Sequence, residues 1–259
     1  MSSKTVGFIG GGRIVRVFLG GWRKAGKLPG TVVVSDTDSH VIETIKREFS
    51  TVDTLCDGNL TAMEQDIVFL AVHPPVIADV LAKLKNVPKS TTILISLAPK
   101  FTMGRLTEIL GGFNRLARMI PNAPSIVGEG FNPMAFSASL TEFDREIVRD
   151  LLAPLGECLE TEERKLEAFA VLTGMGPTYF WPLLYELVAL CESFGLSESE
   201  AIAGLRQMLA GTVATMSDSG LGAEAVQDLV PVKPLADVVP SILDAYRTKL
   251  SAVFDKIKP

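Results

Sequence analysis

Cysteine is scarce in this chain, and histidine and tryptophan are scarcer still: three, two and two residues of 259. Cys56, Cys158 and Cys191 lie far apart and are odd in number, which excludes a disulfide framework and a zinc-ligand pattern. Reduced thiols in the cytoplasm are the expectation. There is no long run of Lys and Arg, and the formal net charge is −5, so no nucleic-acid partner is expected. One apolar stretch calls for a membrane check, LTGMGPTYFWPLLYELVALC at 172–191. It carries Glu186, Pro177, Pro182, Gly174 and Gly176, and its helical part, Tyr179 to Cys191, is too short to span a bilayer. It reads as a buried helix, with no membrane partner. The opening MSSKTVGF lacks the apolar region of a signal peptide.

What the chain does have is apolar mass and alternation. At 47% hydrophobic over 259 residues it can build a sizeable core in two modest domains. Residues 5–10, TVVVSD at 31–36, TVDTL at 51–55, DIVFLAV at 66–72 and TTILISLA at 91–98 read as strands, and NRLARMI and NPMAFSA add two more. Helical periods fall between them. In the first, Ile14, Val17, Phe18, Gly21, Trp22 and Ala25 share one face. Strands alternating with helices predict a mostly parallel sheet covered on both faces, an α/β fold.

Near residue 160 the strands stop. Helices are expected at about 163–172, 177–194, 197–217 and 236–257. Gly195 makes a stop, and Ser197 with Glu200 a capping box. Val238, Val239, Ile242, Leu243, Tyr246, Leu250, Val253, Phe254 and Ile257 form an apolar stripe in the last helix. Helices this apolar in so short a segment point to burial against another subunit, a homo-oligomer of at least two copies. The expected division is 1–161 for the sheet domain and 162–259 for an all-helical dimerisation and substrate domain.

The start VGFIGGGRIV places Gly10, Gly12 and Val15 in a G-x-G-x-x-V spacing, after a strand and at the opening of a helix. In that context the first glycine permits a sharp turn, and the second lets a pyrophosphate approach the N–H groups at the helix start. Val15 exceeds the usual Gly or Ala, which predicts a helix set slightly further from its strand. Asp36, ending the second strand, suits the ribose hydroxyls of an adenine nucleotide. A methyltransferase shares the turn and the acidic strand end, but its helix does not usually begin at the second glycine. A nicotinamide dinucleotide, NAD or NADP, is the expected cofactor. Asp36 and Asp38 would repel a 2′-phosphate, which leans to NAD, although Arg13 could meet one.

Four stretches, in order, resemble pyrroline-5-carboxylate reductases. They are VGFIGGGRIV, then DIVFLAVHPPVI with His73 in place of a Lys, then RLARMIPNAPSIVGEG through Arg118, Met119, Pro121, Asn122 and Pro124, then LTGMGPTYF through Gly174, Gly176, Pro177 and Tyr179. The resemblance spans nearly the whole chain. It implies a Rossmann domain, an interlocked dimer through the helical domain, and hydride transfer from a nicotinamide to a small cyclic imine, by default pyrroline-5-carboxylate giving proline. By the same resemblance Gly10, Gly11, Gly12, Arg13 and Ile14 would hold the pyrophosphate, and Ser35 and Asp36 would meet the adenosine ribose. Asn59 would lie near the adenosine, the other reading being a plain Asp-Gly-Asn turn. Ala71, Val72, His73 and Pro74 would line the nicotinamide side, Asn122 would also meet the cofactor, and Gly176 and Pro177 would meet the substrate.

The departures are concentrated. The family's late Pro-Gly-Gly-Thr-Thr loop grips the substrate carboxylate, and DLVPVKPLADVVP stands in its place. Its glycines and threonines are gone, and Pro231 and Pro234 remove N–H donors. Lys233 could supply a charge instead, or be a solvated loop lysine. Met175 and Thr178 replace small residues, and SLAPKF replaces the usual Ala-Ala-Gly after the fifth strand. Candidate proton donors are His73, Thr178 and Tyr179. For His73 a backbone-bonded strand end is an equal reading, and for Tyr179 a core position. Two alternatives stay open: a divergent reductase of another imine or keto substrate, and a nucleotide-binding protein without catalysis.

Overall fold

A computed structural model describes residues 4–85 and 87–259, with the backbone alone for Pro74 and Pro75. It divides into two compact units, one of residues 1–175 with 253–259, the other of residues 176–252.

The first unit is built on strands β1 (Val6–Ile9), β2 (Val32–Asp36), β3 (Asp53–Cys56), β4 (Ile67–Leu70), β5 (Ile93–Ser96), β6 (Leu116–Met119) and β8 (Met134–Phe136). They form one sheet in the order β3-β2-β1-β4-β5-β6-β8, parallel except for β8, which runs antiparallel to β6. Short strands β7 (Gly130–Phe131) and β9 (Gly156–Glu157) pair separately. Successive residues of the strands feed opposite faces of the sheet. Phe8, Phe69 and Ile95 enter one core with Phe18 and Trp22, while Ile9, Val68, Leu70 and Leu94 enter another with Ile77, Leu81 and Leu106. Each of these large side chains contributes roughly 1.5–3 kcal/mol by leaving water.

The crossovers carry α1 (Arg13–Lys24), α2 (Ser39–Glu48), α3 (Asn59–Met63), α4 (Pro74–Leu84) and α5 (Met103–Ile109). Helices α6 (Glu142–Leu152) and α7 (Leu166–Phe169) follow. The fully buried stripe of α1 is Val15, Phe18, Leu19 and Trp22, and Ala25 is exposed. The face is turned because the segment Ala123–Val127 packs close on α1, where a Cβ on Gly21 would lie 2.3 Å from the Ser125 carbonyl oxygen. Val15 is fully buried. The segment 162–175, expected among the helices, belongs to this unit. There Leu166 and Ala170 pack with Ile120 and Ala135, and Ile257 closes on them.

The second unit contains α8 (Pro177–Ser193), α9 (Glu198–Asp218), α10 (Ala223–Asp228) and α11 (Val239–Ala245), with α12 (Ser251–Ile257) running from it into the first. Gly195 stops α8 at φ +101°, and the Ser197–Glu200 capping box opens α9. The expected helix over 236–257 is broken by a π-helical turn, Tyr246–Leu250. No residue of α8 is fully buried within this chain: Phe180 is 48% exposed and Tyr185 76%. Among the described residues no helix is long and apolar enough to cross a membrane.

Candidate active site at the carboxyl edge of the sheet

The strand order reverses between β1 and β4, and their carboxyl ends frame a crevice where ligands bind in open parallel sheets. Gly10 turns the chain there at φ +95°. A Cβ would meet the Ala71 carbonyl oxygen at 2.7 Å, so no larger residue fits. Gly12 is the opposite case: it caps α1, and a Cβ on it would meet nothing within 4 Å. The Gly11 N–H donates to Asp36 Oδ2 at 2.6 Å. Among the described residues no hydrogen bond uses the N–H of Gly12, Arg13 or Ile14. Three bared donors at a helix start, beside open space, fit a diphosphate.

Asp36 braces this turn, since its Oδ1 also accepts from the Asp38 N–H at 2.9 Å. Ser35 is fully buried, with its hydroxyl donating to Asn59 Oδ1 at 2.8 Å. It therefore acts on its surroundings through Asn59, which is the first residue of α3. Ala71 and Val72 follow β4 half-buried, and exposed His73 caps α4, whose first residue is Pro74. The side chain of Pro74 lies outside the described residues.

A cavity of about 530 Å³ opens over the glycine turn, lined by Gly11, Gly12, Arg13, His40, Arg47 and His73 among others. Neither His40 nor Arg47 stands among the site residues singled out from the sequence. Their signal was present, because His40, Thr44 and Arg47 recur at helical spacing on one side of α2.

Asn122 is 7% exposed and both ends of its amide are used: Nδ2 donates to the Thr173 carbonyl and Oδ1 accepts from the Phe131 N–H. Thr173 lies in a π-helical turn, Ala170–Gly174, just ahead of the Gly-x-Gly-Pro stretch. Such turns gather at functional sites. The second unit holds buried Gly176, then Pro177, Thr178 and Tyr179 in the first turn of α8. Burial, with a smaller push from Tyr246, raises the Tyr179 phenol above its ordinary value. The two rings meet edge-on at 5.9 Å. Lys233 is exposed and lines a separate cavity of the second unit with Glu224 and Asp228.

One buried cluster escaped sequence reading. Arg118 on β6 is 1% exposed, and its guanidinium donates to Glu163 Oε1 at 3.1 Å and to Glu167 Oε1 at 2.5 Å. The same carboxylate oxygens accept from Met103 N–H at 2.6 Å and Lys100 N–H at 3.2 Å. The loop after β5 is thus tied to α7.

The profile of the family described as NADP oxidoreductase, coenzyme F420-dependent, matches residues 5–100. A pyrroline-5-carboxylate reductase of Glycine max is 28% identical over 218 residues, covering 84% of this chain and 79% of the relative. One of Methanosarcina acetivorans is 23% identical over 98% of this chain and 94% of its own. The chain is similar to pyrroline-5-carboxylate reductases over most of its length. The fold agrees. The crystal structure of the Plasmodium falciparum pyrroline carboxylate reductase with NADP bound matches with a TM-score of 0.77 at 21% identity, over 100% of this chain and 98% of that one. The reductase of Streptococcus pyogenes matches at 0.73 and 18% identity, over 99% and 97%.

Proposed function

We propose that this protein reduces pyrroline-5-carboxylate to proline with a nicotinamide coenzyme, in the cytoplasm and as a homodimer. It is an NAD(P)-dependent oxidoreductase. The observation that carries the reading is the Gly10–Gly12 turn, with three unused N–H donors at the head of α1, in a chain similar to pyrroline-5-carboxylate reductases over most of its length. When bound, the nicotinamide supplies the hydride. The chain's own task is to position, to exclude water and to deliver a proton.

In this reading Gly10, Gly11, Gly12, Arg13 and Ile14 hold the diphosphate. Asp36 and Asn59 face the adenosine ribose, with Ser35 behind Asn59. Ala71, Val72, His73 and Pro74 line the nicotinamide side, and Asn122 positions the Thr173 turn beside it. Gly176, Pro177 and Lys233 serve the substrate. An imine needs a proton at nitrogen as its carbon receives hydride. His73, the imidazole on the nicotinamide side, is the first candidate donor, with Tyr179 and Thr178 behind it. A raised phenol stays protonated through the physiological range, as a donor must. The proposed domains are 1–161 for dinucleotide binding and 162–259 for dimerisation and substrate.

Asp36 and Asp38 support NAD as coenzyme. The guanidinium cations lining the glycine-turn cavity, Arg13 and Arg47, support NADP. Parallel calorimetric titrations with NADH and NADPH decide between them. Turnover is tested by following absorbance of each coenzyme with pyrroline-5-carboxylate. Tight coenzyme binding without turnover would move the reading to a reductase of another imine or keto substrate, favoured by the replaced late loop, or to a non-catalytic nucleotide-binding protein. Failure of both coenzymes to bind at millimolar concentration would overturn it altogether.

A further inference from the structure

Resting on that reading, we propose that Lys100 is the residue that reads the substrate's carboxylate. The loop after β5 is unusual in three ways. First, Lys100 holds φ at +76°, a left-handed conformation that a long side chain adopts only at a cost. Second, that conformation is clamped from inside the protein. The Lys100 N–H donates to Glu167, which is 2% exposed and neutralised by buried Arg118, and the Arg118 guanidinium also reaches the Ala98 carbonyl at 3.5 Å. Glu163, the other carboxylate on Arg118, takes the Met103 N–H three residues on. A buried ion pair is costly to assemble, and here it serves to hold four residues of loop. Third, the side chain so displayed is exposed, and no carboxylate lies within ion-pair distance of its ammonium among the described residues.

Position makes the charge useful. Lys100 stands four residues beyond Ser96, the last residue of β5, which neighbours β4 at the carboxyl edge of the sheet. A dinucleotide whose diphosphate lies at Gly12 extends its reacting end along this edge, toward β4 and β5. The substrate of the proposed reaction carries a carboxylate that takes no part in the chemistry. Meanwhile the late segment, DLVPVKPLADVVP, has neither glycines nor hydroxyls with which to grip an anion. A glycine would satisfy the backbone at position 100 with less strain, so what the lysine adds at this position is its ammonium.

A contact with an unreacting group acts on ground state and transition state alike, and its loss raises KM while leaving turnover unchanged. The test compares pyrroline-5-carboxylate with 1-pyrroline, the same ring without the carboxylate, for wild type, Lys100→Gln, Lys100→Gly and Lys100→Arg, with coenzyme affinity titrated for each. Removing the charge should raise KM for the carboxylate about 10- to 100-fold, the range for a hydrogen bond to a charged group, and leave kcat/KM for 1-pyrroline within about twofold. Lys100→Arg should recover most of the loss. Lys100→Gly should melt no lower than wild type, because it relieves the backbone, which keeps the result readable if the Gln variant is unstable. An equal loss on both imines, or an unchanged preference for the carboxylate, would overturn the Lys100 assignment and leave the reductase reading standing. A wild type that binds coenzyme but reduces neither imine would overturn both.

Discussion

Gly10 and Gly12, two residues apart, should respond to substitution in opposite ways. A side chain at Gly10 meets backbone at 2.7 Å on a left-handed φ, so Gly10→Ala is expected to cost about 1–3 kcal/mol in urea unfolding. Gly12→Val meets only the open space of the cradle. It should change stability by no more than about 1 kcal/mol and abolish dinucleotide binding by calorimetry. For His73→Ala, turnover slowed by roughly two to four orders of magnitude, with coenzyme affinity retained, is the expected signature of a proton donor in steady-state assays. Small equal losses in both would return His73 to capping α4. Among the thiols, burial and the neighbouring Glu157 charge push Cys158 up to about 11, while Cys56 is exposed. Iodoacetamide at pH 8 should therefore modify Cys56 and spare Cys158, read by mass spectrometry. At this scale the glycine turn was legible because its residues are contiguous. Lys100, Arg118 and Glu167 were not, because their relation exists only after β5, β6 and α7 have packed.

Between elements, Arg118 on β6 is paired with Glu167 on α7, both buried. Without the Glu167 charge, buried Arg118 keeps only Glu163 as its carboxylate partner. Glu167→Gln is expected to cost about 3–5 kcal/mol, measured by chemical denaturation. The elements themselves were largely readable. Seven strands and the helices α1, α2 and α4 followed from alternation and turn residues, while short α3 went unread, its start taken at most for an Asp-Gly-Asn turn. Helix α1 starts at the glycine turn as expected, but its buried face turned toward Val15 and Leu19. Gly20 and Gly21 admit the 123–127 segment closely, a tertiary contact that periodicity cannot show. Helices α5 and α6 went unread, although Thr141 and Asp144 form a capping box at the start of α6. The π-helical turns at 170–174 and 246–250 also went unread, since they leave no mark on a pattern of apolar spacing.

For the molecule as a whole, the second unit sets the expectation. Trp181, Leu183, Tyr185, Val213, Met216, Leu229 and Val232 are each 44% exposed or more in the single chain, an apolar surface of the kind that marks association. Sedimentation should find at least twice the chain mass of 27.8 kDa at micromolar concentration. Acid should loosen the first unit. For Asp66, burial works against the charged form, but hydrogen bonds from Thr5 and the Lys4 charge outweigh it. For Asp144, Arg115 and Thr141 do the same, so both carboxyls sit below their ordinary value of 3.8. A depressed folded value means stability present above about pH 4 and lost as pH falls through the lower folded value. Melting temperature should therefore drop below pH 4, and less so in Asp144→Asn.

The two tryptophans divide between the units, Trp22 fully buried in the first against Phe8, Phe18 and Phe69, Trp181 44% exposed in the second. The chain thus carries two native optical reporters with different colours. Trp22, in its dry aromatic nest, should emit toward the blue and shift red only when the sheet core opens. Trp181 should emit toward the red in a lone chain and toward the blue when another surface covers it. Following the emission spectrum through dilution and then through acid would separate dissociation from unfolding without a label or a substitution.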